Sequence, residues 1–317
     1  IKSKIIDKEE ALKNPKSKIG LDNIKSNYKL KQIFEYLPKR HCLRLIKCNK
    51  KIKNRLNINI KDYKNYCEIK IEVEIVRNKK KNKIYFLKDL LKEEEPFYHT
   101  YFNNSKEETK RNYLTEDDDI NKINIIIDYK ITSFDNLFEN SDVKSINFKN
   151  FVRNNIKSMK GMFSGCSLLS EINLSNFNTE KVTDMSDMFR NCSLLKEINV
   201  TKFNTNNVIY FNGMFSGCNS LIKLNLSNFR TNKLINMSGM FSWCKRLEEL
   251  DISNFNTNKV TNMSHLFNEC ASIKMIKLPD FNMDNVTEFI FMLSCCSNYL
   301  IKKMKSLEKN IPIEAFY

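Results

Sequence analysis

From residue 159 to residue 281 the hydrophobic positions recur every 26 residues without a slip. Met162-Phe163 to Cys166, Met188-Phe189 to Cys192 and Met214-Phe215 to Cys218 are three copies of one motif. Met240 to Cys244 and Leu266 to Cys270 continue the series, which degenerates at Met292 to Cys296. The other columns are Leu169/Leu195/Leu221/Leu247/Ile273, Ile172/Ile198/Leu224/Leu250/Ile276, Leu174/Val200/Leu226/Ile252/Leu278 and Phe177/Phe203/Phe229/Phe255/Phe281. Phe134, Leu137, Phe138, Ile146, Phe148 and Phe151 read as a divergent first copy, one residue shorter. Within a unit, L-x-x-[IL]-x-[LVI] alternates with the period of a short strand, and M-x-x-M-F-x-x-C-x-x-L spaces its apolar residues like one or two helical turns. One such unit cannot bury its apolar side chains alone, whereas stacked copies bury Leu on Leu and Phe on Phe. The pattern predicts an α/β repeat, a leucine-rich-repeat solenoid of short parallel strands and short helices, after a small helical or α+β N-terminal domain.

The flanks are of different kinds. Residues 1–65 form a basic helical module, with apolar residues at helical spacing and Pro38 ending the first helix after Leu37. Residues 66–121 hold an alternating strand from Cys67 to Val76, a return strand at Ile84 to Leu87, and an acidic linker over 93–121. Repeats occupy 122–296, where Ile123 to Ile127 is the first strand covering the array. Residues 297–317 form a C-terminal helical cap, in which Tyr299, Leu300, Ile301, Met304 and Leu307 have helical spacing.

The unit Met159-x-x-Met162-Phe163-x-x-Cys166-x-x-Leu169-x-x-Ile172-x-Leu174-Ser175-x-Phe177-x-Thr179-x-x-Val182 resembles the BspA-type leucine-rich repeat of bacterial and protist surface proteins. That resemblance spans about residues 130–296 and implies a ligand-binding horseshoe without catalytic activity of its own. A second resemblance covers about 30 residues. Ile33, Phe34, Tyr36, Leu37 and Pro38, followed by Leu43 and Leu45 and then Asn49-Lys50, are similar to an F-box. An F-box implies docking onto the adaptor of a cullin-type ubiquitin ligase. A helical module that caps the open end of the array accounts for the same residues.

Charge is uneven. The chain carries a net +16, and residues 1–100 alone carry 27 Lys+Arg against 13 Asp+Glu. Basicity admits nucleic acid as a distant alternative partner, but no zinc-ligand, RNA-binding or basic-zipper motif accompanies it. No apolar run approaches the length of a membrane span. Cys166, Cys192, Cys218, Cys244, Cys270 and Cys296 share one column and read as small core residues rather than metal ligands. An unpaired thiol column suits a reducing compartment. Asn-x-Ser/Thr tripeptides stand at Asn173, Asn191, Asn199, Asn225, Asn236, Asn262 and Asn285, and in a protein crossing the endoplasmic reticulum glycans at Asn173, Asn199 and Asn225, inside the predicted strands, would cover the concave surface. The expected location is therefore cytoplasmic; the cell surface or secretion is the alternative if a leader precedes this chain.

No phosphate loop, catalytic carboxylate pair or serine elbow is present, and His265 beside Cys244 or Cys270 is an ordinary repeat position. The chain is not expected to be an enzyme or to need a cofactor or metal. Binding remains, on the residues that project from the sheet between buried positions. These are Glu171, Asn173 and Ser175; Glu197, Asn199 and Thr201; Lys223, Asn225 and Ser227; Glu249, Asp251 and Ser253; and Met275 and Lys277. A polar strip of this kind fits hydrogen-bonded contact with a polypeptide, although its Asn and Ser residues also serve repeat geometry. The expected function is a protein-interaction scaffold, in its sharper form an F-box-like substrate receptor whose residues 25–56 dock the adaptor. The alternative is a BspA-type surface adhesin.

Overall fold

The computed structural model describes residues 25–27, 30, 49–56, 68–75, 83–128, 130–151, 155–279, 281–307 and 311–316. The chain divides into a unit of residues 1–66 and a unit of residues 67–317. In the first, helix α1 (Lys50–Leu56) starts at Asn49, whose Oδ1 accepts the Ile52 amide at 3.1 Å, a side-chain cap for a free helical N–H. Arg55 ties this helix to the earlier segment by donating to Asn27 Oδ1 at 2.9 Å and to the Lys25 carbonyl at 3.1 Å. Ile33, Phe34, Tyr36, Leu37, Pro38, Leu43 and Leu45, the F-box-like residues, lie outside the described residues.

The second unit begins with antiparallel strands. Alternation puts Ile69, Ile71 and Val73 of β1 (Ile69–Ile75) into the core and turns Glu72 and Glu74 outward. β2 (Ile84–Tyr85) pairs with β5 (Tyr113–Leu114) rather than returning along β1. Residues 93–121, read from the sequence as a linker, carry β3 (Tyr98–Phe102), β4 (Glu108–Thr109) and β5. Tyr98 and Thr100 of β3 are buried, and Arg111 and Asp118 close a turn through two bonds of 2.7 and 2.8 Å, which accounts for charge in an ordered segment. β6 (Lys122–Ile127) lies between β3 and β1, and β7 (Val143–Asn150) pairs antiparallel with β1. β7 is also parallel to β8 (Glu171–Asn173), so one six-stranded mixed sheet runs β4-β3-β6-β1-β7-β8. A separate parallel sheet contains β9 (Lys223–Asn225), β10 (Glu249–Asp251) and β11 (Met275–Lys277).

This corrects the expected α/β leucine-rich-repeat solenoid. The described residues form mixed and separate sheets, and the α-helices described from end to end are only α1 and the ten-residue α2 (Asn298–Leu307). The M-x-x-M-F-x-x-C stretch is a chain of turns. Met162, Ser164 and Cys166 donate to carbonyls three residues back, whereas Gly161, Phe163 and Gly165 donate to the Ser186, Met188 and Arg190 carbonyls of the next copy. Consecutive three-residue turns imitate the spacing of a helix, so apolar periodicity alone does not separate them. Backbone conformation does. Positive φ recurs at Gly161, Asp187, Gly213, Gly239 and His265 and again at Gly165, Asn191, Gly217, Trp243 and Glu269, and a right-handed helix tolerates neither series. Gly217 is required for a second reason: a Cβ there would stand 2.2 Å from Asn191 Oδ1.

Every apolar column named from the sequence points inward. Phe163, Phe189, Phe215, Phe241 and Phe267 stack at 5.3–6.2 Å between centroids with interplanar angles of 14° or less. Leu300 and Met304 of α2 are buried.

A column of threonines clips neighbouring copies together. Thr179, Thr205, Thr231 and Thr257 are each 1% exposed. Thr231 Oγ1 donates to the Asn256 carbonyl at 3.1 Å and accepts the Asn256 amide at 2.6 Å, and the other three repeat the arrangement with Asn204, Arg230 and Asn282. Thr231→Val keeps the shape but strands both backbone groups, for an expected loss of about 2–4 kcal/mol. Thr231→Ser retains the hydroxyl and is expected to lose only about 1 kcal/mol, the value of a buried methyl group. Urea midpoints of the two variants test this; equal losses would show that the hydroxyl does not matter.

Candidate functional site

The outward positions of the strands form two rows. Ser145, Glu171, Lys223, Glu249 and Met275 make the first, and Asn147, Asn173, Asn225, Asp251 and Lys277 the second, with each register set by parallel pairing within its own sheet. Glu197 and Asn199 occupy the equivalent positions of the intervening copy. Glu72 of β1 stands opposite Asn147 and extends the second row.

Within these rows many polar groups serve the fold. Asn173, Asn199, Asn225 and Asp251 each accept the amide of the residue two places on through Oδ1, at 3.0–3.1 Å. Thr201, Ser227 and Ser253 add their hydroxyls to the same oxygens at 2.7 Å. These are side-chain-closed turns that end each strand. Asn173 also donates to Asn147 Oδ1 at 3.0 Å, which links those two copies.

Charges on the last copies are paired. Lys223 meets Glu249 at 2.5 Å and Lys277 meets Asp251 at 3.1 Å. Burial pushes the Asp251 carboxyl up, but Ser253 and Lys277 outweigh it and hold the group below its usual value. Glu72 behaves alike: burial is outweighed by Lys122 at 2.6 Å and Lys149 at 3.3 Å. Met275 is 54% exposed.

The first copies differ. Among the described residues, no ion pair reaches Glu171 or Glu197; Lys144 feels Glu171 through space but pairs with Glu74 at 3.0 Å. The ladder is also open here. Residues 197–199 form no strand, and among the described residues no backbone hydrogen bond involves their amides or carbonyls. A groove of about 750 Å³ lies at this opening, lined by Glu72, Ser145, Asn147, Glu171, Asn173, Glu197 and Asn199, with Ile146, Ile172 and Ile198 among its lining residues. Ile172 and Ile198 are half-buried, whereas Leu224, Leu250 and Ile276 of the paired copies are buried.

Of the residues expected on the binding face, the structure thus gathers Glu171, Asn173, Glu197 and Asn199 at the groove. It assigns Thr201, Ser227 and Ser253 to turn closure, brings the Ser175 amide to Asn173, and pairs Lys223, Glu249, Asp251 and Lys277 with one another. Ser145 and Asn147 were within reach of the sequence, since counting 26 residues back from Glu171 and Asn173 lands on them. Glu72 was not, because it belongs to no repeat.

The cysteine column is chemically closed. Cys192, Cys218, Cys244 and Cys270 donate Sγ–H to the Phe163, Phe189, Phe215 and Phe241 carbonyls at 3.0–3.2 Å. Burial raises their thiols well above the ordinary range, Cys244 to about 12. His265 is stacked on Phe291 with 5.2 Å between ring centroids. Among the described residues no cluster of three or more His, Cys, Asp or Glu could hold a metal ion, and no helix is long and apolar enough to cross a membrane.

Compared with known proteins, the profile of a family described as "Mycoplasma protein of unknown function, DUF285" matches residues 132–248 and 217–309, which together span more than half the chain. No curated protein and no solved structure matches.

Proposed function

From the premise that this chain belongs to the DUF285 family of Mycoplasma proteins of unknown function, the BspA-like repeat family in general, we propose that it is a non-enzymatic scaffold that binds a polypeptide on the outward face of its sheets. One observation carries the reading. The groove lined by Glu171, Asn173, Glu197 and Asn199 is the place on that face where, among the described residues, carboxylates have no cationic partner and backbone groups have no hydrogen-bond partner. Such groups are satisfied either by water or by another chain. The thiols of the cysteine column are buried and hydrogen-bonded, which keeps them from acting as nucleophiles, because the thiolate is the reactive form. In this reading the protein works in a reducing, cytoplasmic compartment, and its basic N-terminal module is the part available to a ubiquitin-ligase adaptor.

Photo-crosslinking of the full chain tests the reading. A photoreactive residue at Ser175 or Ser253, both exposed on the outward face, is expected to capture a polypeptide in cells. The same residue at Ser167 or Asn219, in the turns that follow the cysteine column, is expected to capture none. Equal capture from both pairs of positions would remove the face as the binding surface.

A further inference from the structure

The opening in the ladder specifies more than a polypeptide, provided that the face is an interaction surface. Glu171 and Glu197 occupy equivalent positions of successive copies, so two carboxylates stand on adjacent copies with no ion pair to either among the described residues. Like charges on neighbouring strands are destabilising. Elsewhere on the face the fold avoids that cost. Lys223 takes Glu249, Lys277 takes Asp251, and Glu72 lies between two lysines. The uncompensated pair coincides with residues 197–199, whose backbone groups have no hydrogen bond among the described residues.

A long basic side chain answers these features together. Its head meets the carboxylates, and its remaining N–H groups can donate to the open carbonyls of residues 197–199. Arginine fits better than lysine, because a planar guanidinium can present N–H pairs to two carboxylates at once and is more weakly hydrated than an ammonium. We propose that the groove captures an arginine side chain of an extended partner segment, with the guanidinium between Glu171 and Glu197. The other outward charges of this region are Lys144, held by Glu74, Lys122 and Lys149, both held by Glu72, and Lys223, one copy on from Glu197 and held by Glu249. Neither carboxylate is therefore claimed by a lysine already seated in the groove.

The probe is a fluorescein-labelled peptide of alternating serine and arginine, and its counterpart has citrulline, which keeps the shape and removes the charge. Because the chain carries a net +16, it repels a basic peptide as a whole, so binding reports a local site rather than bulk attraction. Fluorescence anisotropy with the full chain is expected to show binding of the arginine peptide and a loss of about tenfold or more with citrulline. Glu171→Gln/Glu197→Gln is expected to lose about the same factor, and Glu139→Gln, an exposed turn residue that does not line the groove, to stay within about twofold. The double variant should melt at or above the temperature of the parent, since it removes a repulsion; a lower melting temperature with weaker binding would count as loss of structure and against the proposal. Absence of arginine-peptide binding, equal binding of citrulline, or an equal loss in Glu139→Gln would each overturn it. If crosslinking from Ser175 and Ser253 survives that failure, the interaction face stands and only the arginine is wrong. If crosslinking fails too, the face itself is wrong.

Discussion

Replacing Phe215 with alanine is expected to cost about 3–5 kcal/mol of unfolding free energy. Phe215 is fully buried and is sandwiched between Phe189, at 5.7 Å and 7°, and Phe241, at 6.2 Å and 1°. Truncation removes the transfer energy of a whole ring and leaves a hole between two rings that backbone bonds hold in place. The Phe189 amide donates to the Met214 carbonyl and the Phe215 amide to the Met240 carbonyl, so the copies cannot slide together to fill it. In a repeat array, stability is close to a sum of unit and neighbour terms. A hole at the centre of the column therefore weakens two interfaces at once and should broaden the urea transition as well as lower its midpoint. Tyr210→Ala, at a side chain 40% exposed, is the control and should cost no more than about 0.5 kcal/mol. A Phe215→Ala loss below about 1.5 kcal/mol would mean that the column relaxes and that the stacked geometry is not what holds the copies together.

The column is also the best example of what the sequence reveals. A repeat without slips fixes which residues stack on which, because each copy must bury its apolar side chains against the equivalents in the next. Phe163 to Phe267, the leucine columns and the cysteine column all follow from counting by 26. What counting cannot distinguish is a helix from successive turns, since both bring residues three and four apart to one side. The residues that decide the matter were present as Gly161, Gly165, Gly213 and Gly217, which supply left-handed backbone and room for the Asn or Asp of the copy before. The candidate site was half legible. Alternation about the buried strand positions turns Glu171, Asn173, Glu197 and Asn199 outward. It does not reveal that Asn199 Oδ1 is occupied by Thr201, that Glu72 arrives from a strand about a hundred residues away, or that the ladder opens at 197–199. Pairing and gaps are properties of neighbouring copies together, and the sequence of one copy does not encode them.

The second large effect is expected from pH. Burial pushes the thiols of Cys166, Cys244 and Cys296 up to about 12 and raises those of Cys192, Cys218 and Cys270 as well. In an unfolded chain a cysteine ionises near about 8.5. Above that pH the unfolded state gives up protons that the folded state retains, so the folded state binds more and stability falls as pH rises. The contribution is complete below about pH 8 and is lost progressively toward about pH 12, at a rate near 1.4 kcal/mol per thiol per pH unit. The column acts together, so moving from pH 7.5 to pH 10 should shift the urea midpoint sharply downward under reducing conditions. Lysines and tyrosines titrate in the same range and would confuse a single curve. Comparison with Cys244→Ala removes them, because they are common to both proteins. The variant starts less stable, having lost a side chain that fills space and donates to the Phe215 carbonyl. Its further loss between pH 7.5 and pH 10 should nevertheless be smaller than that of the parent by roughly 2 kcal/mol, one thiol's share. Equal losses in the two proteins would mean that the Cys244 thiol ionises as readily in the fold as in the open chain, and the column would then be neither dry nor chemically inert.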